Sequence, residues 1–283
     1  MNNVYTHGHH ESVLRSHRWR TAENSAGYLL PRLRPGMSLL DVGAGPGTIT
    51  AELAALVAPG RTTALEANES ALGITRATFA ERGITPSSAA GDTSAGRADE
   101  PAIEVDFVVG DVHRLDLPDD SYDVVHAHQV LQHVADPVQA LREMRRVCKP
   151  GGIVAVRDSD YHAFTWYPEL PELDEWMELY QRLARANQGE PDAGRRLLSW
   201  ARAAGFEQIE ATASNWTFAN VEDRDWWGGM WADRVLQSAM ADQARAFGVP
   251  EEALERISAA WRAWAAAPDG FLSLLHGEIV AIA

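Results

Sequence analysis

Cysteine and lysine are almost missing from this chain of 283 residues: each occurs once, side by side at Cys148 and Lys149. A single cysteine excludes an intramolecular disulfide and any cysteine-based zinc framework, and it suits a reducing compartment. Close to Val147 and Met144, Cys148 reads as packing material in a helix. Long apolar runs are also lacking. No stretch approaches the ~20 apolar residues a membrane span needs, and the opening Met1 to His10 has no basic region followed by an apolar run. The expectation is a soluble, unexported, cytoplasmic protein. Positive charge is scarce too, with 25 basic against 40 acidic residues and a formal net charge of -15. That balance opposes attraction to a polyanion, so a small molecule rather than nucleic acid is the expected partner. Oligomeric state has no signature here. Three histidines in Tyr5-Thr6-His7-Gly8-His9-His10 have no carboxylate at fixed spacing, so no metal is expected.

What is present is enough apolar residues, 46%, for a sizeable core, arranged as alternating short strands and helices. A helical segment, Glu11 to Leu33, is closed by Pro35-Gly36. Strands are predicted at Met37 to Val42, Thr62 to Leu65, Ile103 to Val109, Tyr122 to Ala127, Ile153 to Val156, Glu207 to Ala213 and Phe271 to Ile282. Helices are predicted at Thr48 to Leu56, Ser70 to Arg82, from Asp136-Pro137 to the Lys149-Pro150-Gly151-Gly152 stop, at Leu173 to Ala186 and at Ala193 to Ala204. Thr85 to Pro101, rich in Ser, Ala, Gly and Asp, reads as a flexible surface insertion. Val221 to Pro268 reads as a mainly helical block. The alternation implies a parallel sheet with right-handed crossovers and a ligand at the strands' carboxyl ends.

The sharpest local signal is Leu-Leu-Asp-Val-Gly-Ala-Gly-Pro-Gly over 39–47, a strand running into a glycine turn ahead of a helix. Glycines at Gly43 and Gly45 let a ligand approach the backbone, and the helix that follows presents unpaired N–H groups. A dinucleotide fingerprint would place its third glycine at position 48, which is Thr48; glycine comes one residue early, at Gly47.

With Asp41, this spacing resembles the first motif of class I S-adenosylmethionine-dependent methyltransferases. The ubiquinone and menaquinone biosynthesis methylase family is similar along about 33–206. The matching stretches are Gly110-Asp111-Val112, Leu115-Asp116-Leu117-Pro118, Tyr122-Asp123-Val124-Val125, Val130-Leu131-Gln132-His133-Val134, the run to Lys-Pro-Gly-Gly, and Ala204-Gly205-Phe206. The resemblance implies a Rossmann-like α/β fold: seven strands, mostly parallel, the last one antiparallel and inserted between the fifth and sixth. The expected organisation is an N-terminal helical segment (1–36) closing over the cofactor, a core (37–219), a helical substrate cap between strands six and seven (220–268), and the last core strand (269–283).

The resemblance also implies roles. Asp41, Gly43, Ala44, Gly45 and Gly47 would form the turn beneath the methionine and ribose portions of S-adenosylmethionine. Glu66, with Ala67 at the end of the second strand, would accept hydrogen bonds from the ribose hydroxyls. Asp111 and Val112 would hold the adenine, Ala127 and His128 would lie near the methionine part, and Arg20 would pair with the cofactor carboxylate. His133, His128 and His126 are the candidate bases, should the acceptor need one; packed histidines are the blander alternative. Nine of the ten tryptophans follow residue 165, with Trp226, Trp227, Met230 and Trp231 densest. They suggest an aromatic wall over an apolar or flat substrate, and core packing accounts for such residues equally well. Trp261 and Trp264, among alanines, read as core. A methyl transferred in line to a small molecule is the leading expectation. Non-methylating use of the same cofactor, and a regulatory protein retaining the pocket, remain the alternatives.

Overall fold

In the computed structural model, residues 19–84 and 103–283 are described. The first part of the predicted N-terminal helix, the histidine-rich start and the whole of the 85–101 insertion therefore lie outside the described residues. Eight strands and nine α-helices are found among them: β1 (Leu39–Val42), β2 (Arg61–Glu66), β3 (Glu104–Val109), β4 (Tyr122–His128), β5 (Cys148–Ser159), β6 (Thr165–Tyr167), β7 (Ile209–Phe218) and β8 (Phe271–Ile282). The helices are α1 (Ala22–Ala26), α2 (Thr48–Val57), α3 (Glu69–Glu81), α4 (Pro137–Val147), α5 (Pro171–Ala186), α6 (Leu197–Ala203), α7 (Val221–Gln237), α8 (Ala239–Ala246) and α9 (Glu251–Ala266).

The strand order is β3-β2-β1-β4-β5-β8. Strands β1 to β5 pair in parallel, while β8 runs antiparallel to both β5 and β7. The reversed last strand thus lies between its two neighbours, as the resemblance implied. The chain steps one way from β1 to β3 and the other way from β4 to β5. That reversal opens a crevice at the carboxyl ends of β1 and β4, which is where such sheets bind ligands.

Local chemistry explains most boundaries. Asn68 caps α3 by accepting from Ala71 N, and Asp136 caps α4 by accepting from Gln139 N at 2.9 Å, with Pro137 at the first helical position. Both faces of the sheet are covered. One core joins Val125, Ala127, Leu141, Met144 and Val154 to Phe206; another gathers Trp176, Trp231, Trp261 and Trp264, all fully buried, under the helices after β5. Trp261 and Trp264 are core residues, as expected from sequence. Helices α7 and α9 approach closely because Gly228 has no side chain: a Cβ there would come within 2.8 Å of the Trp261 carbonyl oxygen.

Four sequence expectations change. The described residues form eight strands rather than seven, because Thr165–Tyr167 pairs with Phe271–Ser273 at the start of β8. Strand β5 begins at Cys148, so Lys149-Pro150-Gly151-Gly152 belongs to the strand and Cys148 is not helical; the pairing to β4 shifts register between Tyr122 and Val124, which absorbs the glycines. Strand β7 continues to Phe218, drawn on by its full-length pairing with β8. Before Leu33, the described chain forms only the short α1 and a turn at Leu30–Arg32 that Pro31 favours. No helix among the described residues is long and apolar enough to cross a membrane.

Candidate active site

A cavity of about 870 Å³ opens at the switch point, near the upper end of the ~300–1,000 Å³ typical of small-molecule sites. One half is built by the strand-end turns. Gly43 and Gly45 adopt φ of 68° and 58°, the left-handed region that glycine enters without strain. Glu66, at the end of β2, accepts from Gly45 N at 2.5 Å and from Ala67 N at 3.2 Å. Burial raises the Glu66 carboxyl above its ordinary range, and those two amides pull it part of the way back. Asp111 follows β3; the His113 backbone N–H, then its ring, hold the carboxyl below the usual range. Asp41 is buried, accepting from Thr50 Oγ1 at 2.5 Å and bonded to His126 Nδ1 at 2.7 Å.

The other half is aromatic. Tyr161, Phe164, Trp216, Trp227 and Trp231 line it, together with Arg234. Between the halves stand Arg20, His128, Gln129 and His133, whose hydrogen bonds fix the histidine tautomers. Arg20 Nη2 donates to Gln129 Oε1 at 2.7 Å, so the Gln129 amide nitrogen donates to His276 Nε2 at 2.9 Å. Arg157 Nη1 lies 2.9 Å from His128 Nε2, and a guanidinium can only donate. His128 therefore carries its proton on Nδ1, an atom that is buried without a hydrogen-bond partner among the described residues. Likewise Ser159 Oγ donates to Gln132 Oε1, which directs the Gln132 amide nitrogen to His133 Nε2 at 3.0 Å. Burial, reinforced by the charge of Arg20, pushes His133 down to about 3. Burial and the charges of Arg20 and Arg157 also put His128 well below the ordinary imidazole value. Burial, then the charges of Arg157 and Arg20, lower His276 in the same way, so His128, His133 and His276 are neutral rings.

Arg157 itself is buried. Its Nε donates to Glu278 Oε1 at 3.1 Å across the β5–β8 pair and to Ser214 Oγ at 3.2 Å, and its guanidinium lies 4.9 Å from the Trp216 ring centre. Burial brings it down to about 10, with Glu278 opposing that fall. It remains a cation and locks the back of the site.

Of the residues expected from sequence, the cavity brings together Arg20, Asp41, Gly43, Ala44, Gly45, Glu66, Ala67, Asp111, Val112, His128, His133, Trp227 and Trp231. Five others lie outside its lining. Gly47 makes room for the Thr75 and Phe79 side chains instead. Ala127 points to the opposite face of β4 from His128 and packs in the core. His126 shares His128's face but is spent on Asp41, deeper in the sheet. Met230 is fully buried, and Trp226 packs on Trp19 and Phe218. At about 100° per residue, one helix face holds Trp227 and Trp231 and the next holds Trp226 and Met230, so the four do not form one stripe. Sequence reasoning missed Gln129, Trp216, Tyr161 and Arg234. Gln129 has φ of 55°, unusual for a non-glycine residue and held by its backbone bond to the Arg157 carbonyl at 2.7 Å. No sequence signal marks it.

A Rossmann-like sheet with a reversed last strand, a glycine turn at its switch point and acids ending the next two strands defines a nucleoside-type cofactor site. The methyltransferase domain family matches residues 40–156. An uncharacterised methyltransferase of Schizosaccharomyces pombe is 32% identical over 283 residues, covering 98% of this chain and 95% of that protein. The ubiquinone/menaquinone biosynthesis C-methyltransferase of Shewanella sediminis is 29% identical over 193 residues, 63% of this chain and 70% of that enzyme. Among solved structures, the YcgJ protein of Bacillus subtilis shares the fold with a TM-score of 0.55 at 18% identity, over 92% of this chain and 98% of that one. The chain belongs to the class I S-adenosylmethionine-dependent methyltransferases. Its cofactor is S-adenosylmethionine.

Proposed function

We propose that this methyltransferase transfers the methyl group to a small aromatic molecule held against Trp216, Trp227 and Trp231. The observation that carries the reading is the continuous cavity, with ribose-type acceptors in one half and aromatic side chains in the other. S-adenosylmethionine supplies a methyl group already activated by a sulfonium charge. The chain's residues fit it: Glu66 has lone pairs left for ribose hydroxyls, Asp111 and Val112 suit an adenine, and the unpartnered His128 Nδ1–H with Arg20 suits a carboxylate. In this reading 19–36 closes the cofactor side and α7 to α9 form the substrate cap.

The residues align the reactants and exclude water, which is most of what an in-line displacement requires. The sequence-based assignment of His128 as a base is set aside, because its one open ring atom carries a proton. His133, neutral with its Nε2 taken by Gln132, is too weak a base at about 3 to accept an acceptor's proton effectively. Both act as neutral walls.

Replacing Glu66 with Ala is expected to weaken S-adenosylhomocysteine binding by about 1 to 3 kcal/mol. Calorimetric titration of both proteins checks this. Equal affinities would remove Glu66 from the cofactor site.

A further inference from the structure

Gln129 stands where glycine would be at ease. Its φ of 55° lies in the left-handed region, its backbone N–H donates to the Arg157 carbonyl at 2.7 Å, and the residue lines the cavity between the two halves. A long side chain at such a position directs attention to what that side chain holds. Arg20 Nη2 donates to its Oε1 at 2.7 Å, and its Nε2 donates to His276 Nε2 at 2.9 Å. His276 Nδ1 donates in turn to the Leu274 carbonyl at 3.2 Å, which leaves Nε2 of the neutral ring as the acceptor. The amide is thus oriented from both ends, with its oxygen towards Arg20. Arg20 is tied down from other sides as well. Its guanidinium carbon lies 5.5 Å from the Trp216 ring centre, and the backbone after it is anchored by Trp216 Nε1 donating to the Asn24 carbonyl and by Ala22 N–H donating to Glu52 Oε2, each at 2.7 Å.

Resting on the cofactor reading above, we infer that Gln129 is a positioning residue that aims the Arg20 guanidinium at the carboxylate of S-adenosylmethionine. The Gln129 oxygen fixes one terminal nitrogen and the Trp216 ring fixes the plane, so the side chain is set before the cofactor arrives. A guanidinium carries five N–H donors in a rigid fork, so holding one of them defines where the others point. An arginine ordered in advance gives up less rotamer freedom on pairing, and the difference appears as affinity. His128, the other donor read as suiting the carboxylate, ends β4 one residue before Gln129. Burial and then charge, that of Arg20 included, lower His128, His133 and His276, which sets the guanidinium among all three rings. The nucleoside end of the site is built separately. Glu66 is held by the Gly45 and Ala67 amides and Asp111 by His113, so losing the Gln129 amide should leave that end intact.

The test is calorimetric titration of the full chain with two ligands, S-adenosylhomocysteine and decarboxylated S-adenosylhomocysteine, which keeps the adenine, ribose, sulfur and amine. The wild type is expected to bind the carboxylate-bearing ligand about tenfold more tightly or better. Gln129→Met keeps the side chain's length but offers no amide oxygen to Arg20. It should lose most of that preference by weakening S-adenosylhomocysteine alone, with the decarboxylated ligand bound as before. Gln129→Gly, which suits the left-handed backbone, should lose the preference as well, so the result does not depend on strain. A preference retained in either variant, or both ligands weakened equally, would overturn the inference. Equal binding of the two ligands by the wild type would overturn the carboxylate reading and the inference with it, whereas failure of the wild type to bind either would overturn the cofactor-site reading itself.

Discussion

Replacing Arg157 with Met should destabilise the protein by about 3 to 5 kcal/mol, because it leaves a buried carboxylate without its cation. Glu278 is 6% exposed, and after the change Thr212 and Ser214 would be the side chains still donating to it among the described residues. The same substitution frees His128 Nε2, so the ring loses the contact that fixes its tautomer. Denaturant unfolding of the single variant and of the Arg157→Met, Glu278→Leu double variant separates the two costs. The double variant should recover part of the loss, since removing both charges leaves no unpaired ion. A single variant within about 1 kcal/mol of the wild type, the scale of an exposed ion pair, would contradict the description of this pair as buried and essential.

Replacing Trp227 with Ala should cost about 3 to 5 kcal/mol, the range for removing a large buried ring. Its ring stacks on Phe218 with centroids 4.3 Å apart and lies 6.3 Å from Trp231. Its indole nitrogen has no hydrogen-bond partner among the described residues, so truncation removes packing and cavity wall without stranding a partner. Trp227 stands in the aromatic half, away from Glu66 and Asp111, so S-adenosylhomocysteine affinity should be preserved while affinity for an aromatic ligand falls. Thermal unfolding and calorimetry read the two effects. Loss of cofactor affinity with stability unchanged would reverse the assignment of the two halves.

The cofactor half was legible in the sequence because each of its parts is local. A glycine turn, an acid ending β2 and an Asp-Val after β3 are short strings whose conformation their own residues dictate, and Gly43, Glu66 and Asp111 all reach the cavity. The aromatic half was legible only in bulk. Tryptophan enrichment after residue 165 marked the region, but the helix rotation that sends Trp227 inward and Trp226 towards Trp19 is set by packing of α7 on α9, which depends on long-range partners. Gln129 and Arg157 were illegible for the same reason. Their roles come from cross-strand neighbours over a hundred positions away, His276 and Glu278, which no local pattern can announce. The small β6 was missed because three residues carry too little periodicity, and pairing with β8 alone makes them a strand.

The absence of a histidine base is the claim on which the mechanism turns, and nitrogen-15 long-range correlation spectra of the imidazole rings test it most directly. Near neutral pH, His128 and His276 are expected to remain neutral with the proton on Nδ1, and His133 to remain neutral, because burial and neighbouring arginines hold all three below the ordinary imidazole value. In the unfolded chain each would take up a proton as the pH falls through about 6.5, so their stabilising contribution is present above that value and declines as the solution is acidified. A titration of His133 or His128 with a midpoint between pH 6 and 7 would contradict the account and restore a histidine as the base.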